Sequence, residues 1–298
     1  MSTSHWLALS RIGRIGGVTA RRLLRRFGSV QGVFAAADDE LLAVPRFSAE
    51  MLASLRAADL EAAANELAEL EAGGMRVLTW DDPDYPANLA PVPDAPPLLY
   101  LRGSLQPERD TSAVAIVGTR APSEKAVRQA EELAAALAGR GVTIVSGLAL
   151  GIDTAAHQGA LRAGGRTIAV PGSGLGAIHP VSNRPLAEQI ARAGALLSEL
   201  PPLARPSGPC LMARDRIVSG LSRVLIVVEA APESGSVDTA RRAQRQGRAV
   251  LAVPGSPGTD ALIAAGAEPL DPGSVDLDAL AARAQAFGPL SALQPQLL

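Results

Sequence analysis

The 298-residue sequence contains few cysteine, lysine and aromatic residues. Its one cysteine, Cys210, cannot form a disulfide within the chain, which is typical of proteins kept in a reducing cytoplasm. The sequence has no apolar run long enough to span a membrane, so we expect no membrane partner. The N-terminus lacks a long apolar stretch followed by a small-residue cleavage site, and no signal peptide is predicted. We therefore expect a cytoplasmic protein.

Lysine is almost absent, since Lys125 is the only one and arginine supplies the other positive charges. The formal net charge of -2 argues against a surface that is basic all over, although it permits a local basic surface. The phosphate-binding motif GxxxxGK[ST] is missing. His5, His157 and His179 are scattered along the chain, so no metal site is predicted.

Residues 1–72 predict a small all-α domain made of short helices. In the segment IGRIGGVTARRLLRRFG, Gly16 and Gly17 separate two stretches with the apolar periodicity of helices. This spacing is typical of a helix-hairpin-helix (SAM-like) domain, whose glycine turn lets backbone N–H groups approach a phosphate. The later segment LLAVPRFSAEMLASL has the form of a second, degenerate hairpin with Pro45 in its turn.

The basic charge of this domain is concentrated near its start. No acidic residue lies between Met1 and Ala37, whereas six arginines do: Arg11, Arg14, Arg21, Arg22, Arg25 and Arg26. Such a surface either contacts nucleic-acid phosphates or is the solvated basic face of a helical bundle. The motif alone leaves both interpretations open.

Residues 73–285 predict a larger α/β domain. It begins with two short strands, 76–80 and 98–102, on either side of a proline-rich segment that is too apolar for a free linker. Six apolar runs then alternate with helical stretches: 113–117, 142–146, 167–171, 195–199, 224–229 and 249–253. Short strands that are apolar on both faces are typical of a parallel sheet covered by helices. The alternation predicts an extended, Rossmann-like, doubly wound and mostly parallel sheet.

Glycines and hydroxyl residues follow the carboxyl ends of these strands, where ligands bind in a doubly wound sheet. Glycine lets backbone amides approach an anion, and serine and threonine hydroxyls add hydrogen-bond donors. Arg120 would supply a charge-assisted bond to phosphate. Arg214 and Arg216, which are predicted to begin the helix before the run 224–229, would either extend a basic track or be only solvated. Each glycine by itself is explained by a tight turn, but five such loops on one edge predict an anion or phosphate site.

Other residues suggest an enzymatic alternative. Asp153 and His157 share a helix face, either as an acid–base pair or as a helix cap and a separate local hydrogen bond. Glu229, at the end of a buried strand, is either a general base or a carboxylate that lines the pocket. The stretch GSGLGA has a dinucleotide-binding pattern, but His179 and Pro180 follow where the helix should continue. No catalytic residue is assigned.

At these loops the chain resembles the DprA/Smf family of DNA-processing proteins A. The matching stretches are AIVGTRAPS, VTIVSGLALGIDTAAHQGAL, GRTIAVPGSGL, GALLSE, RIVSGLS, VLIVVEAAPESGSVDTAR and QGRAVLAVPGS, in the family's order. Together with the lead-in DPDYPANLAPVPDAPPLLYLRGS they cover residues 75–270, roughly. Several ordered motifs make this resemblance specific, unlike a lone glycine fingerprint.

The resemblance implies an extended Rossmann fold that dimerises and binds single-stranded DNA without catalysis, cofactor or metal. It also implies transfer of that DNA to a RecA-type recombinase in natural transformation and in DNA recombination or repair. Matching motifs assign DNA or phosphate binding to Gly118, Thr119, Arg120, Ser146, Gly147, Leu148, Gly172, Ser173, Gly174, Arg214, Arg216, Ser234, Gly235 and Ser236. A weak contact between duplex DNA and the N-terminal helical domain is a further expectation.

The chain departs from the family pattern where LMARDR replaces FPxRNR. Leu211 stands in place of an aromatic ring that would stack on a base, and Asp215 stands in place of an asparagine. Asp260 likewise replaces the asparagine of GTN. The family often carries a C-terminal winged-helix domain, but residues 286–298 leave room only for a short tail, so this domain is either naturally absent or removed by truncation of the sequence.

Two other functions fit the same fold. Nucleoside-phosphate hydrolases share this type of Rossmann domain but carry a PGGxGTxxE loop. This chain instead reads ESGSVDTAR, with no glutamate in the helical turn that follows. A sensor that binds a small nucleotide in the same pocket is the second alternative.

Overall fold

A computed structural model describes residues 2–286, which fall into two units. The first unit comprises residues 2–85 and 93–100, and the second comprises 86–92 and 101–286. The predicted C-terminal tail lies outside the described residues except for Ala286. No helix within residues 2–286 is long and apolar enough to cross a membrane.

The first unit consists of six helices and the first strands. Its elements are α1 (Ser2–Ser10), α2 (Gly17–Phe27), α3 (Val30–Ala35), α4 (Asp38–Leu42), α5 (Ala49–Arg56), α6 (Leu60–Ala72), β1 (Met75–Thr79) and β2 (Leu98–Gly103), which continues into the second unit. Side-chain caps set three helix starts, because Ser29, Ser48 and Asp59 each accept a backbone N–H three residues ahead. The core of this unit includes Trp6, whose indole N–H donates to Asp81 over 2.7 Å.

The second unit alternates strands and helices, as the sequence predicts. It contains α7 (Pro107–Asp110), β3 (Ala113–Val117), α8 (Glu124–Ala138), β4 (Thr143–Ser146), α9 (Ile152–Arg162), β5 (Thr167–Ala169), a 3-10 turn (Val181–Asn183), α10 (Arg184–Ala193), β6 (Ala195–Ser198), α11 (Gly208–Leu221), β7 (Val224–Val227), α12 (Gly235–Arg245), β8 (Ala249–Ala252), α13 (Pro257–Ala264), β9 (Glu268–Pro269) and α14 (Leu277–Gln285).

The strands of this unit lie in the order β6-β5-β4-β3-β7-β8-β9, and each pairs with its neighbours in parallel. The chain moves outward from β3 through β4 to β6, then returns along α11 to place β7 on the other side of β3. The predicted doubly wound parallel sheet is therefore confirmed. Apolar, buried residues of β3, β4 and β7 pack against α8 and α9 on one face of the sheet. This core supports the loops at the ends of the strands.

One boundary near the predicted site was wrong. The sequence interpretation starts a helix at Arg214, but α11 begins six residues earlier, at Gly208. Ser207 caps it by accepting the N–H of Cys210, and Pro209 suits its first turn. Arg214 and Arg216 therefore lie within the helix, where their side chains leave it in different directions.

The segment 86–92, part of the proline-rich lead-in, is bound to the second unit through Asn88. The buried Asn88 amide donates to the carbonyl oxygens of Thr111 and Leu221, over 2.8 and 2.9 Å. Its own carbonyl oxygen accepts from Arg248 over 2.6 Å. These bonds join the residues before β3 to the end of α11, the helix that reaches the site.

We expect Asn88→Ala to lower the free energy of unfolding by about 1–3 kcal/mol, because the buried Leu221 carbonyl loses its side-chain donor and the Thr111 carbonyl keeps only that of Arg223. Urea denaturation measures the change. Asn65→Ala, an exposed position in α6, is the matched control and should change stability by less than about 0.5 kcal/mol. Equal stabilities of the two variants would contradict this role for Asn88.

Candidate phosphate-binding site

A pocket of about 490 Å³ opens at the carboxyl ends of β3, β4 and β7. Because the strand order reverses between β3 and β7, this is the switch point at which doubly wound sheets bind their ligands. Its lining residues are Val117, Gly118, Thr119, Arg120, Gly147, Ala149, Asp153, Gly208, Leu211, Met212, Arg214, Asp215, Val218, Ser234, Gly235, Ser236 and Thr239.

The loop after β3 holds Arg120 at the pocket. Thr119 donates its N–H to the Glu229 carbonyl over 2.7 Å and accepts from the Ile152 N–H over 3.2 Å, so neighbouring loops fix it on both sides. Gly118 allows this approach, since a Cβ there would lie 2.6 Å from an Ile152 side-chain carbon. Arg120 follows as an exposed side chain, and among residues 2–286 it makes no ion pair. Its guanidinium is therefore available to an anion.

The first turn of α12 also lines the pocket. Ser234 precedes the helix, and Gly235 and Ser236 begin it. Within the described residues, no hydrogen bond uses the N–H groups of Gly235 and Ser236, as expected at the start of a helix. Together with the positive end of the helix dipole, these donors favour a negatively charged ligand.

Arg214 lies at the floor of the pocket and is only 7% exposed. Its Nη1 donates to the carbonyl oxygens of Gly147 and Val170, at the ends of β4 and β5, and its Nε donates to Asp215 over 3.1 Å. A Cβ on Gly147 would collide with this guanidinium. The lack of a side chain at Gly147 therefore makes room for Arg214, in addition to letting the backbone approach a ligand.

Two buried carboxyl groups accompany this arginine. Burial raises the pKa of Asp153, while the nearby Arg214 and the N–H of Ala149 favour its charged form. Burial also raises the pKa of Asp215 to about 6; Arg214 opposes the shift, and Asp153 and Asp238 reinforce it. Arg120, Asp153, Arg214 and Asp215 are the titratable residues that line the pocket. The positive charge of Arg214 is thus largely neutralised by protein groups.

The structure brings together eight of the fourteen predicted residues. Those that line the pocket are Gly118, Thr119, Arg120, Gly147, Arg214, Ser234, Gly235 and Ser236. Those that do not are Ser146, Leu148, Gly172, Ser173, Gly174 and Arg216.

The residues outside the pocket have structural partners instead. Ser146 is fully buried and donates its hydroxyl to the Ile116 carbonyl over 2.7 Å. Arg216 forms a two-pronged ion pair with Glu199, at 2.7 and 2.6 Å. Ser173 is fully buried, and Leu148 is buried with a φ of 61° in the left-handed region.

Gly172 and Gly174 are explained by packing. A Cβ on Gly172 would collide with Leu211, so this glycine makes room for an apolar side chain that does line the pocket. A Cβ on Gly174 would collide with the carbonyl oxygens of Pro201 and Pro202.

Sequence reasoning did not place Asp153, Met212 or Thr239 in the pocket. The position of Asp153 after a glycine-rich strand end could have indicated that it lies in the pocket. The sequence instead suggested either an acid–base pair with His157 or a helix cap. The structure makes Gly151 the cap of α9, and Asp153 instead accepts the Ala149 N–H over 3.2 Å.

The residues considered for an enzymatic role are held by other groups. His157 is fully buried, bonds Thr167 over 2.7 Å through Nδ1, and burial lowers its pKa to about 3. The carboxylate of Glu229 accepts the N–H and hydroxyl of Ser123 at the start of α8, and Glu229 does not line the pocket. Within residues 2–286, no three His, Cys, Asp or Glu residues cluster as a metal site.

The fold and pocket define a doubly wound α/β protein with a pocket, lined by an exposed arginine and the start of a helix, at the switch point of its parallel sheet. The profile of the family "DNA recombination-mediator protein A" matches residues 76–276, and the chain belongs to this family.

Relatives support the assignment along most of the chain. The chain is 40% identical over 258 residues to Protein Smf of Synechocystis, covering 85% of this chain and 65% of that protein. It is 44% identical over 175 residues to the DNA processing protein DprA of Streptococcus pneumoniae, covering 59% and 61%. The match thus spans less than two thirds of the length of these curated relatives.

Solved structures match as well. The X-ray structure of DNA processing protein A from Streptococcus pneumoniae superposes with a TM-score of 0.78 at 32% identity, covering 90% of this chain and 94% of that chain. A structure of DNA processing protein A from Helicobacter pylori, described as showing a single-stranded DNA binding mode, matches with a TM-score of 0.61 at 32% identity over 69% and 94%.

The raised pKa of Asp215 predicts a pH-dependent stability. Because the folded chain holds this proton more tightly than the unfolded chain, stability should rise as pH falls from 7 to 5, by about 1 kcal/mol from this group. Asp215→Asn cannot titrate, so its free energy of unfolding should change less over that range. Urea denaturation at pH 5, 6 and 7 compares the two proteins, and parallel pH curves would show that Asp215 does not titrate there.

Proposed function

We propose that this chain binds single-stranded DNA in the pocket and catalyses no reaction. The observation that carries the proposal is Arg120, an exposed arginine without an ion-pair partner among the described residues, in the same pocket as the unbonded N–H groups that begin α12. A backbone phosphate fits between a guanidinium and such donors, since charge-assisted bonds from both sides are strong. Membership of the family, and the single-stranded DNA binding named for the Helicobacter pylori protein, support this choice over a free anion.

Apolar side chains beside the phosphate donors offer a place for bases. Leu211 and Met212, in the first turns of α11, line the pocket, and Met212 is 55% exposed. Neither has an aromatic face, and a base–aromatic stack is worth about 1–3 kcal/mol per base. We therefore propose that phosphate contacts contribute most of the affinity, with base contacts that are apolar and indifferent to sequence.

The test is the salt dependence of oligo-dT binding, followed by fluorescence anisotropy. For wild type, log affinity should fall linearly with log salt, by about 0.7 per neutralised phosphate. Arg120→Glu should reduce affinity at least about tenfold and make this slope shallower by about 0.7, because one phosphate contact is lost.

Arg192→Glu is the matched control for this experiment. Arg192 is exposed in the last turn of α10, and helices of a parallel sheet end at the edge opposite the carboxyl ends of the strands. The two variants carry the same change of charge. Equal losses of affinity would show a non-specific charge effect and would contradict the assignment of the pocket.

We further propose that the chain acts as a homodimer in the cytoplasm and mediates loading of a RecA-type recombinase in transformation, recombination or repair. Family membership supports a recombination role. Light scattering tests the dimer, and recombinase filament formation on DNA coated with a single-strand-binding protein tests the loading.

A second candidate is a nucleoside-phosphate hydrolase or nucleotide sensor, favoured by the two carboxyl groups, Asp153 and Asp215, that line the pocket. Both are already engaged by protein groups, the Ala149 N–H and Arg214. Incubation with nucleoside monophosphates distinguishes these functions: release of free base would indicate a hydrolase, and retention of intact nucleotide at micromolar concentration a sensor.

A further inference from the structure

The first unit contains the same helix-turn-helix structure twice, offset by 32 residues. The turn between α1 and α2 closes with bonds from the Ile12 N–H to Leu9 and from the Ile15 N–H to Ile12, at 3.2 and 3.1 Å. The turn between α4 and α5 repeats them: Val44 donates to Leu41 and Phe47 to Val44, both at 3.0 Å. The following helices begin at Gly17 and Ala49, again 32 residues apart (49 − 17).

Each turn carries an arginine at the same place. Arg14 and Arg46 both have a φ of 69°, and three non-glycine residues among those described have a positive φ. The apolar neighbours on either side are buried, namely Ile12, Ile15, Val44 and Phe47, whereas both arginines are exposed. The left-handed conformation normally favours glycine, so the repeated arginine marks two strained positions that point charge outward.

Helix α2 joins the two turns into one basic surface. Its Arg22 donates to the Pro45 carbonyl over 3.4 Å, which places the second turn beside the helix that leaves the first. Along α2, Arg22 lies about 7.5 Å from the helix start, so the two turns are on the order of 10–20 Å apart. Arg25 and Arg26, in the last turn of α2, are also exposed. Within residues 2–286, Arg14, Arg25, Arg26 and Arg46 form no ion pair with a carboxylate.

We propose that these two arginine turns form a second nucleic-acid surface, separate from the pocket, that binds the phosphate backbones of duplex DNA. Two turns held at a fixed separation fit two phosphate strands across a groove, which is about 6–12 Å wide in B-form DNA. The surface suits a duplex better than a single strand, because the strongly exposed apolar residues of this unit are Val18 and Leu42, and neither can stack a base.

The two turns are not equivalent in charge. No acidic residue precedes Asp38 in the sequence, and although Glu66 pairs with Arg11 at the first turn, Arg14 makes no ion pair among the described residues. At the second turn, Glu50 is exposed near the start of α5, and Asp39 and Glu40 lie in the short α4. The first turn therefore contributes the larger share of the affinity, and the second adds orientation.

The sharpest variant is Arg14→Gly combined with Arg46→Gly. Glycine adopts a φ of 69° freely, so the double variant removes both charges without adding strain, and its thermal stability should equal or exceed that of wild type. Affinity for a 24-base-pair duplex, measured by anisotropy in about 0.1 M salt, should fall about tenfold, and the log–log salt slope should become shallower by about 1.8, for two duplex phosphate contacts.

Two controls separate this surface from the pocket. The double lysine variant, Arg14→Lys with Arg46→Lys, keeps both charges and should bind the duplex within about threefold of wild type. Arg120→Glu should lose oligo-dT binding while duplex binding persists, and the double glycine variant should show the reverse. The proposal is overturned if the double glycine variant binds the duplex like wild type, or loses oligo-dT and duplex equally, or if Arg120→Glu abolishes duplex binding. The assignment of the pocket is tested separately, by the binding of oligo-dT to Arg120→Glu and Arg192→Glu.

Discussion

The geometry of the pocket depends on the hydrogen bonds and the ion pair of the Arg214 guanidinium. The guanidinium joins the carbonyl oxygens that end β4 and β5 and pairs with Asp215, so one side chain connects two strands to α11. Removing one member of a buried ion pair typically costs about 3–5 kcal/mol, because an uncompensated charge stays behind. Arg214 also explains two neighbours: Gly147 is small because the guanidinium occupies the adjacent space, and the charge of Arg214 opposes the rise that burial causes in the pKa of Asp153.

This arrangement decides how the pocket attracts an anion. Arg214 is balanced by buried carboxyl groups, and the exposed positive charge of the pocket is therefore that of Arg120. A carboxylate at Asp215 opposes a phosphate nearby, and its protonation near pH 6 removes that opposition. The carboxyl group of Asp215 thus makes the electrostatics of the pocket depend on pH.

The two proposed DNA-binding surfaces present arginine in two different ways. In the pocket, the sheet supplies rigid strand ends, and α12 supplies unbonded N–H groups beside a single arginine. In the helical unit, short turns hold exposed arginines in the left-handed region. The first arrangement suits a single phosphate bound in the pocket, and the second suits several phosphates along an exposed surface.

The sequence by itself determined the α/β class, the parallel strands and the loops that carry the site, because buried parallel strands and glycine-rich strand ends are local patterns. It also indicated both hairpins of the helical unit. Only the tertiary structure decided which side chains reach the pocket. Ser146 and Arg216 carry the right chemistry in the right motifs, but the Ile116 carbonyl and Glu199 take their donors. Asp153 enters the site because the strand order and α11 bring it near Arg214, the sequence neighbour of Asp215, and such long-range pairing leaves no periodic signal in the sequence.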